Sequence, residues 1–132
     1  MNRSVLDASA LLAYLNEEPG ADVVENVLAA GAVISTANWA EVLSKAMEIG
    51  ISPETLTAEM EKRGVLGNTM DVLPLTVEDS MEIARLRLLT RPFGLSLGDR
   101  ACLALGKRLK VPILTADRIW AEVPGFQVTV IR

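Results

Sequence analysis

Short apolar runs alternate with longer stretches of helical spacing along this chain, and that alternation limits the fold more than any single residue does. Val5-Leu6, Ala32-Val33-Ile34, residues 71 to 75, Pro112-Ile113-Leu114-Thr115 and residues 127 to 131 each read as a buried strand. Between them, helices are predicted over 8–16, 21–30, 36–49, 53–63, 77–89 and 97–109, with a short turn or helix over 116–121. Ser35 or Thr36, Ser52-Pro53, Thr76 and Ser96 supply N-caps, and Gly31, Gly50, Gly64 and Gly94 supply stops or loops. Strands joined by helical crossovers pair in parallel with a right-handed turn. The fold class is therefore α/β, a three-layer α/β/α sandwich with a central parallel sheet of about five strands, in one domain over residues 1–132.

Composition narrows the chemistry. The one cysteine, Cys102, rules out an internal disulfide and Cys-rich metal sites, and the lack of histidine removes the usual general base and zinc ligand. Oxygen ligands remain, and these select Mg²⁺ or Mn²⁺. Apolar stretches are all shorter than the ~18 residues that a membrane helix requires, and residues 2–7 leave no room for a signal-peptide apolar region. A cytoplasmic protein with no membrane partner is expected.

Net charge is −4, which taken alone argues against a nucleic-acid partner. Its distribution argues the other way. Residues 85–118 hold eight of the thirteen basic residues and only two acids, Asp99 and Asp117. Phosphate neutralisation depends on local charge, so a phosphate-facing surface is expected there, with Arg85, Arg87, Arg100 and Arg118 as candidate contacts. The alternative is a solvated helix face.

Four carboxylates stand out by position. Asp7 ends the first strand and Asp117 follows the fourth, so the two become neighbours if those strands pair, at the sheet edge where α/β folds bind ligands. Asp99 opens a helix that is apolar almost all round, where a carboxylate needs a cation or donors. Glu41 lies opposite the apolar stripe formed by Trp39, Val42, Leu43, Ala46 and Met47, together with Asn38 and Lys45. Each also has a plainer reading: Asp7, Asp99 and Asp117 as helix caps, Glu41 as surface charge. Ser9 is placed to reach Asp7 and Thr115 to orient Asp117 or a water, though both are also ordinary helix-start and strand-end hydroxyls. Cys102 reads as core, and Trp39 and Trp120 as core or interface anchors rather than base-stacking platforms.

Four segments in order resemble the PIN domain family, and most closely its VapC-like toxins. They are Val5-Leu6-Asp7-Ala8-Ser9-Ala10-Leu11-Leu12-Ala13, Asn38-Trp39-Ala40-Glu41-Val42, the stretch 95–105 around Ser96-Leu97-Gly98-Asp99-Arg100, and Leu114-Thr115-Ala116-Asp117-Arg118-Ile119-Trp120. The resemblance implies an acidic quartet of Asp7, Glu41, Asp99 and Asp117 binding Mg²⁺ or Mn²⁺, with Ser9, Thr115 and Asn38 as polar neighbours. It further implies cleavage of RNA to a 5′-phosphate and 3′-hydroxyl, a VapB-like antitoxin that directs a basic side chain toward the acidic cleft, and a homodimer. Residues 52–71 carry no matching motif.

Two rivals belong to other classes. An aspartyl-phosphate phosphatase needs a second Asp two residues after the first, and a receiver module needs an acidic pair near the first strand; Asp7-Ala8-Ser9 supplies neither. A non-catalytic PIN-like module that binds RNA or protein, with the acids serving only as caps, is the other.

Overall fold

The structure is a computed structural model and describes residues 3–132. Five strands, β1 (Ser4–Leu6), β2 (Ala32–Ser35), β3 (Met70–Leu73), β4 (Ile113–Thr115) and β5 (Val128–Val130), form one sheet of order β3-β2-β1-β4-β5. Every neighbouring pair is parallel. Six helices connect them: α1 (Ala8–Leu15), α2 (Ala21–Ala30), α3 (Thr36–Glu48), α4 (Pro53–Lys62), α5 (Val77–Thr90) and α6 (Leu97–Leu109). Short 3-10 turns cover Arg91–Phe93 and Arg118–Glu122.

Because side chains alternate across a strand, β1 sends Leu6 to one apolar layer and Val5 to the other. Leu6, Ile34, Met70 and Leu114 pack with Leu11, Val24, Leu28 and Met60 from α1, α2 and α4. Val5, Val33 and Ile113 pack with Ile83, Leu86, Leu103, Leu105 and the fully buried Trp120. The expected sandwich is present.

Local signals explain most boundaries. Ser35, Ser52, Thr76 and Ser96 each accept the N–H three residues on, and the last two belong to capping boxes closed by Asp79 and Asp99. β3 starts one residue before its expected span and ends at Leu73, because Pro74 has no N–H to continue a ladder. Gly20 has φ +98°, and a Cβ there would sit 2.8 Å from the Ile131 carbonyl oxygen, so only glycine lets α2 start against the C-terminal strand.

α5 and α6 form an antiparallel pair. Arg108 near the end of α6 clamps Asp79 at the start of α5 through Nε (2.9 Å) and Nη2 (3.1 Å), and Lys107 reaches Glu82 at 3.0 Å. Burial pushes the Asp79 carboxyl up, but the Thr76 N–H and the Arg108 guanidinium outweigh it and hold the pKa below the usual range. Arg108→Ala should therefore cost about 2 kcal/mol at neutral pH, less than a fully buried pair because Arg108 is itself partly exposed. Urea unfolding at two pH values checks this, since the cost must shrink in acid as Asp79 takes up its proton.

Candidate functional site

The carboxyl ends of β1, β2 and β4 meet the N-terminal turns of α1, α3 and α6, and this junction holds the acidic side chains. Asp7 leaves β1 directly, and its N–H donates to the Leu114 carbonyl at 3.1 Å because β1 and β4 pair in the register Leu6 to Leu114. Its carboxylate caps α1 by accepting from the Ala10 N–H (2.8 Å), and also accepts from Ser9 Oγ (2.8 and 2.9 Å) and Thr115 Oγ1 (2.6 Å). The side chain is buried, at 4% exposure. Burial raises its pKa to about 6; the three donors oppose the shift, and the charge on Asp99 adds to it.

Glu41 is held from the side. Asn38 Nδ2 donates to Glu41 Oε1 (3.2 Å) and to the Gly98 carbonyl (3.0 Å), and Asn38 Oδ1 accepts from Ser35 Oγ (2.7 Å). Asn38 is buried at 1% exposure, so this amide is fixed at the α3–α6 contact. Partial burial raises the Glu41 pKa, the Asn38 bond opposes it, Asp99 adds to it and Lys45 opposes it. A Cβ on Gly98 would run into the Glu41 carboxylate.

Asp99 stands in the first turn of α6, where its carboxylate accepts from the Ser96 N–H at 2.9 Å. Cys102, one turn further, is fully buried. Its thiol is pushed well above its ordinary value by burial and then by Asp7, Asp99 and Glu41. Three carboxylates thus act on one point beneath the α6 N-terminus. Asp117 is exposed, caps the 3-10 turn by accepting from the Ile119 N–H (3.2 Å), and connects to Asp7 through Thr115, whose hydroxyl accepts from the Asp117 N–H at 3.1 Å.

The donor set is all oxygen, and Asp7 has no cationic partner among the described residues, which fits a hard divalent ion. The carboxylates are not drawn to a single point: among the described residues no three His, Cys, Asp or Glu side chains form a ready metal cluster. Asp99 closes the capping box of α6 by accepting from the Ser96 N–H.

The basic candidates scatter. Arg100 is buried, at 7% exposure, with Nη1 donating to the Ile83 carbonyl (2.9 Å) and Nε without a partner, so it ties α6 to α5 rather than lining the mouth. Arg85 pairs with Glu82 at 3.5 Å. Arg118 is exposed and donates to the Arg132 carbonyl (3.0 Å), while Arg87 is exposed near the end of α5. Lys107 and Arg108 sit about 12 Å along α6 from Asp99, at 1.5 Å per residue, toward the opposite end of the sheet. The positive segment of the sequence does not fold into one positive surface.

Ser35 escaped the sequence reading except as a cap. Its spacing to Asn38 was the available signal, because an N-cap hydroxyl three residues before a polar side chain is placed to bond it.

The PIN domain family model matches residues 4–125. Among solved structures, VapBC from Salmonella typhimurium bound to DNA aligns with TM-score 0.74 at 17% identity, covering 100% of both chains. A toxin-antitoxin complex from Klebsiella pneumoniae aligns with TM-score 0.70 at 19% identity, covering 98% of each chain. VapBC-1 from nontypeable Haemophilus influenzae aligns with TM-score 0.72 at 14% identity, again over 98% of each. No curated protein matches the chain. The fold is the one these toxin-antitoxin complexes contain, and the chain belongs to the PIN domain family.

Proposed function

We propose that the chain is a metal-dependent endoribonuclease and the toxin of a toxin-antitoxin pair. The observation that carries this reading is the placement of Asp7, Glu41 and Asp99 at one edge of the sheet, where Asn38 bonds both Glu41 and the Gly98 carbonyl next to Asp99 and burial raises the pKa values of Asp7 and Glu41. Such an arrangement costs stability unless a cation offsets it. Asp7, Glu41, Asp99 and Asp117 would hold Mg²⁺ or Mn²⁺, which supplies charge neutralisation at a phosphate and acidifies water.

The residues of this chain do the rest. Ser9, Thr115 and the Ala10 N–H fix both oxygens of Asp7, so this ligand is preorganised. Asn38 holds Glu41 against the Gly98 carbonyl and so couples α3 to α6 across the site. Asp99, held at one oxygen by the Ser96 N–H, is the carboxylate left to turn toward an incoming RNA and take the proton from the attacking water. Arg87 and Arg118 remain as exposed cations for flanking phosphates.

The test is cleavage of RNA by the purified chain with Mg²⁺, with Mn²⁺ and with chelator, followed by analysis of the ends. Divalent-dependent products with 5′-phosphates support the reading. Metal-independent RNA binding without cleavage would favour the non-catalytic module, which has one observation behind it: Asp7, Asp99 and Asp117 all cap helices here.

Gly98→Ala separates site geometry from fold. Alanine in a helix gains up to about 1 kcal/mol over glycine, so the melting temperature should hold or rise. Displacing Glu41 by about 1 Å should cost roughly 10–100-fold in cleavage. Equal activity in both proteins would remove Glu41 from the site.

An antitoxin is the proposed partner. A groove of about 740 Å³ between α1, α3 and α4 is lined by the apolar side chains of Leu12, Val42, Leu56 and Met60, with exposed Ile49 at its edge, and reaches Ser9 beside Asp7. An apolar segment seated there would bring a basic side chain to the acidic edge.

A further inference from the structure

The acidic edge is held by two unlike arrangements. Asp7 takes its donors directly from α1 and from the end of β4, whereas Glu41 has one side-chain donor among the described residues, the Asn38 amide at 3.2 Å. Whatever holds Asn38 therefore holds Glu41. Asn38 is almost fully buried, where each of its polar atoms needs a partner. Its Nδ2 has two acceptors, Glu41 Oε1 and the Gly98 carbonyl, and its Oδ1 has one donor, the Ser35 hydroxyl at 2.7 Å.

Ser35 does more than cap α3. Its Oγ accepts from the Asn38 N–H at 3.0 Å, as an N-cap does, which leaves its single proton for Asn38 Oδ1. In α5 and α6 the residue three places after the cap is an aspartate that accepts from the cap's own N–H. In α3 that place belongs to an amide, which accepts the hydroxyl proton and donates twice beyond it. An ionised acid there could accept from Ser35 but would face the Glu41 carboxylate and the Gly98 carbonyl with no proton to give. Ser35 is fully buried at the end of β2, which lies between β1 and β3 in the sheet. One amide thus connects the sheet to Glu41 and to the residue before Asp99.

We propose that Ser35 is a positioning residue of the nuclease site that acts through Asn38: its hydroxyl fixes the amide at the α3–α6 contact, and the amide sets where Glu41 stands relative to Asp99. The inference deepens the nuclease reading and rests on it for the effect on cleavage, though not for the hydrogen-bond relay itself. Without the hydroxyl, Asn38 Oδ1 is buried with no donor, and the amide leaves its position. Ser35 lies behind Asn38 and contacts no substrate, so its loss lowers kcat and leaves the KM for RNA unchanged.

Two variants remove the hydroxyl with unequal effects on the helix, because alanine is a poor N-cap and glycine a tolerable one. Hydrogen exchange of the Asn38 side-chain amide, followed by NMR on the metal-free full chain, reads the relay without any catalysis. The wild-type amide should exchange about tenfold more slowly than in Ser35→Ala or Ser35→Gly, and the two variants should match each other although their melting temperatures differ. In Mg²⁺ both should lose about tenfold in kcat for RNA cleavage at unchanged KM. Ser35→Ala added to Asn38→Ala should cost less than about twofold more, since the relay is already broken. Equal exchange in all three proteins, kcat losses that follow the melting temperatures, or losses that multiply in the double variant would each overturn the role of Ser35. A wild-type chain with no divalent-dependent cleavage would remove the nuclease reading, while the exchange rates would still decide whether Ser35 holds Asn38.

Discussion

Asp99→Asn should reduce Mg²⁺-dependent RNA cleavage by about 10²–10⁴-fold, the range expected when a proton acceptor or metal ligand is lost, while leaving the fold in place. The fold survives because asparagine at this N3 position still offers an oxygen to the Ser96 N–H. Asp99→Ala would confuse the result, since losing the capping box costs about 1 kcal/mol by itself. Metal binding provides an independent readout. An ion at 100 times its Kd raises native stability by ~2.7 kcal/mol, and this gain should be reduced in Asp99→Asn. Cleavage retained in both Asp99→Asn and Asp7→Asn would end the nuclease proposal.

Asp99 is singled out by its connections. Asp7 is clamped by three donors and Glu41 by Asn38, but Asp99 is held at one oxygen by a backbone N–H at a helix start. It is also the charge that acts on both of the others. Removing it changes the field of the whole site while disturbing the packing least.

How much of this was legible in the sequence depended on range. Short-range features were readable: Ser52-Pro53, Thr76 and Ser96 cap within three residues, and the helices they start fall where caps and glycine stops put them. The sheet was readable as a class because crossovers force parallel pairing. Features that depend on tertiary placement were not. Thr115 was expected to serve Asp117 or a water; its hydroxyl accepts from the Asp117 N–H and also donates to Asp7, a contact that arises because the β1–β4 register aligns Leu114 with Leu6. The positive segment from Arg85 to Arg118 omitted Asp79 and Glu82, which lie just before it and which the α5–α6 hairpin folds back onto Arg108 and Lys107. Arg100 follows Asp99 in sequence, but the next step of the helix turns it inward to Ile83. One residue along a helix is about 100°, enough to separate a mouth from a core.

The same burial that prepares Asp7 for a cation should make it a liability without one, and this gives the second large effect. Its pKa rises from 3.8 to about 6, chiefly through burial, so between those values the native protein holds a proton that the unfolded chain has released. Stability must then fall as pH rises through that window, by about 3 kcal/mol once Asp7 is fully ionised. Asp7→Asn removes the charge and keeps an acceptor for the Ala10 N–H, while the Ser9 and Thr115 hydroxyls can turn to accept from the new amide. Some hydrogen-bond strength is lost, so the net gain in chelator at neutral pH should be about 2 kcal/mol, vanishing toward pH 4. Thermal melts of both proteins from pH 4 to 8, with chelator and with Mg²⁺, measure it. Mg²⁺ should stabilise the wild type at neutral pH and leave Asp7→Asn nearly unchanged, so the order of the two melting temperatures narrows or reverses. Parallel pH profiles in chelator would mean that the buried carboxylate is already neutralised by the hydroxyls and the Ala10 N–H around it, and the case for a cation at Asp7 would lose its physical basis.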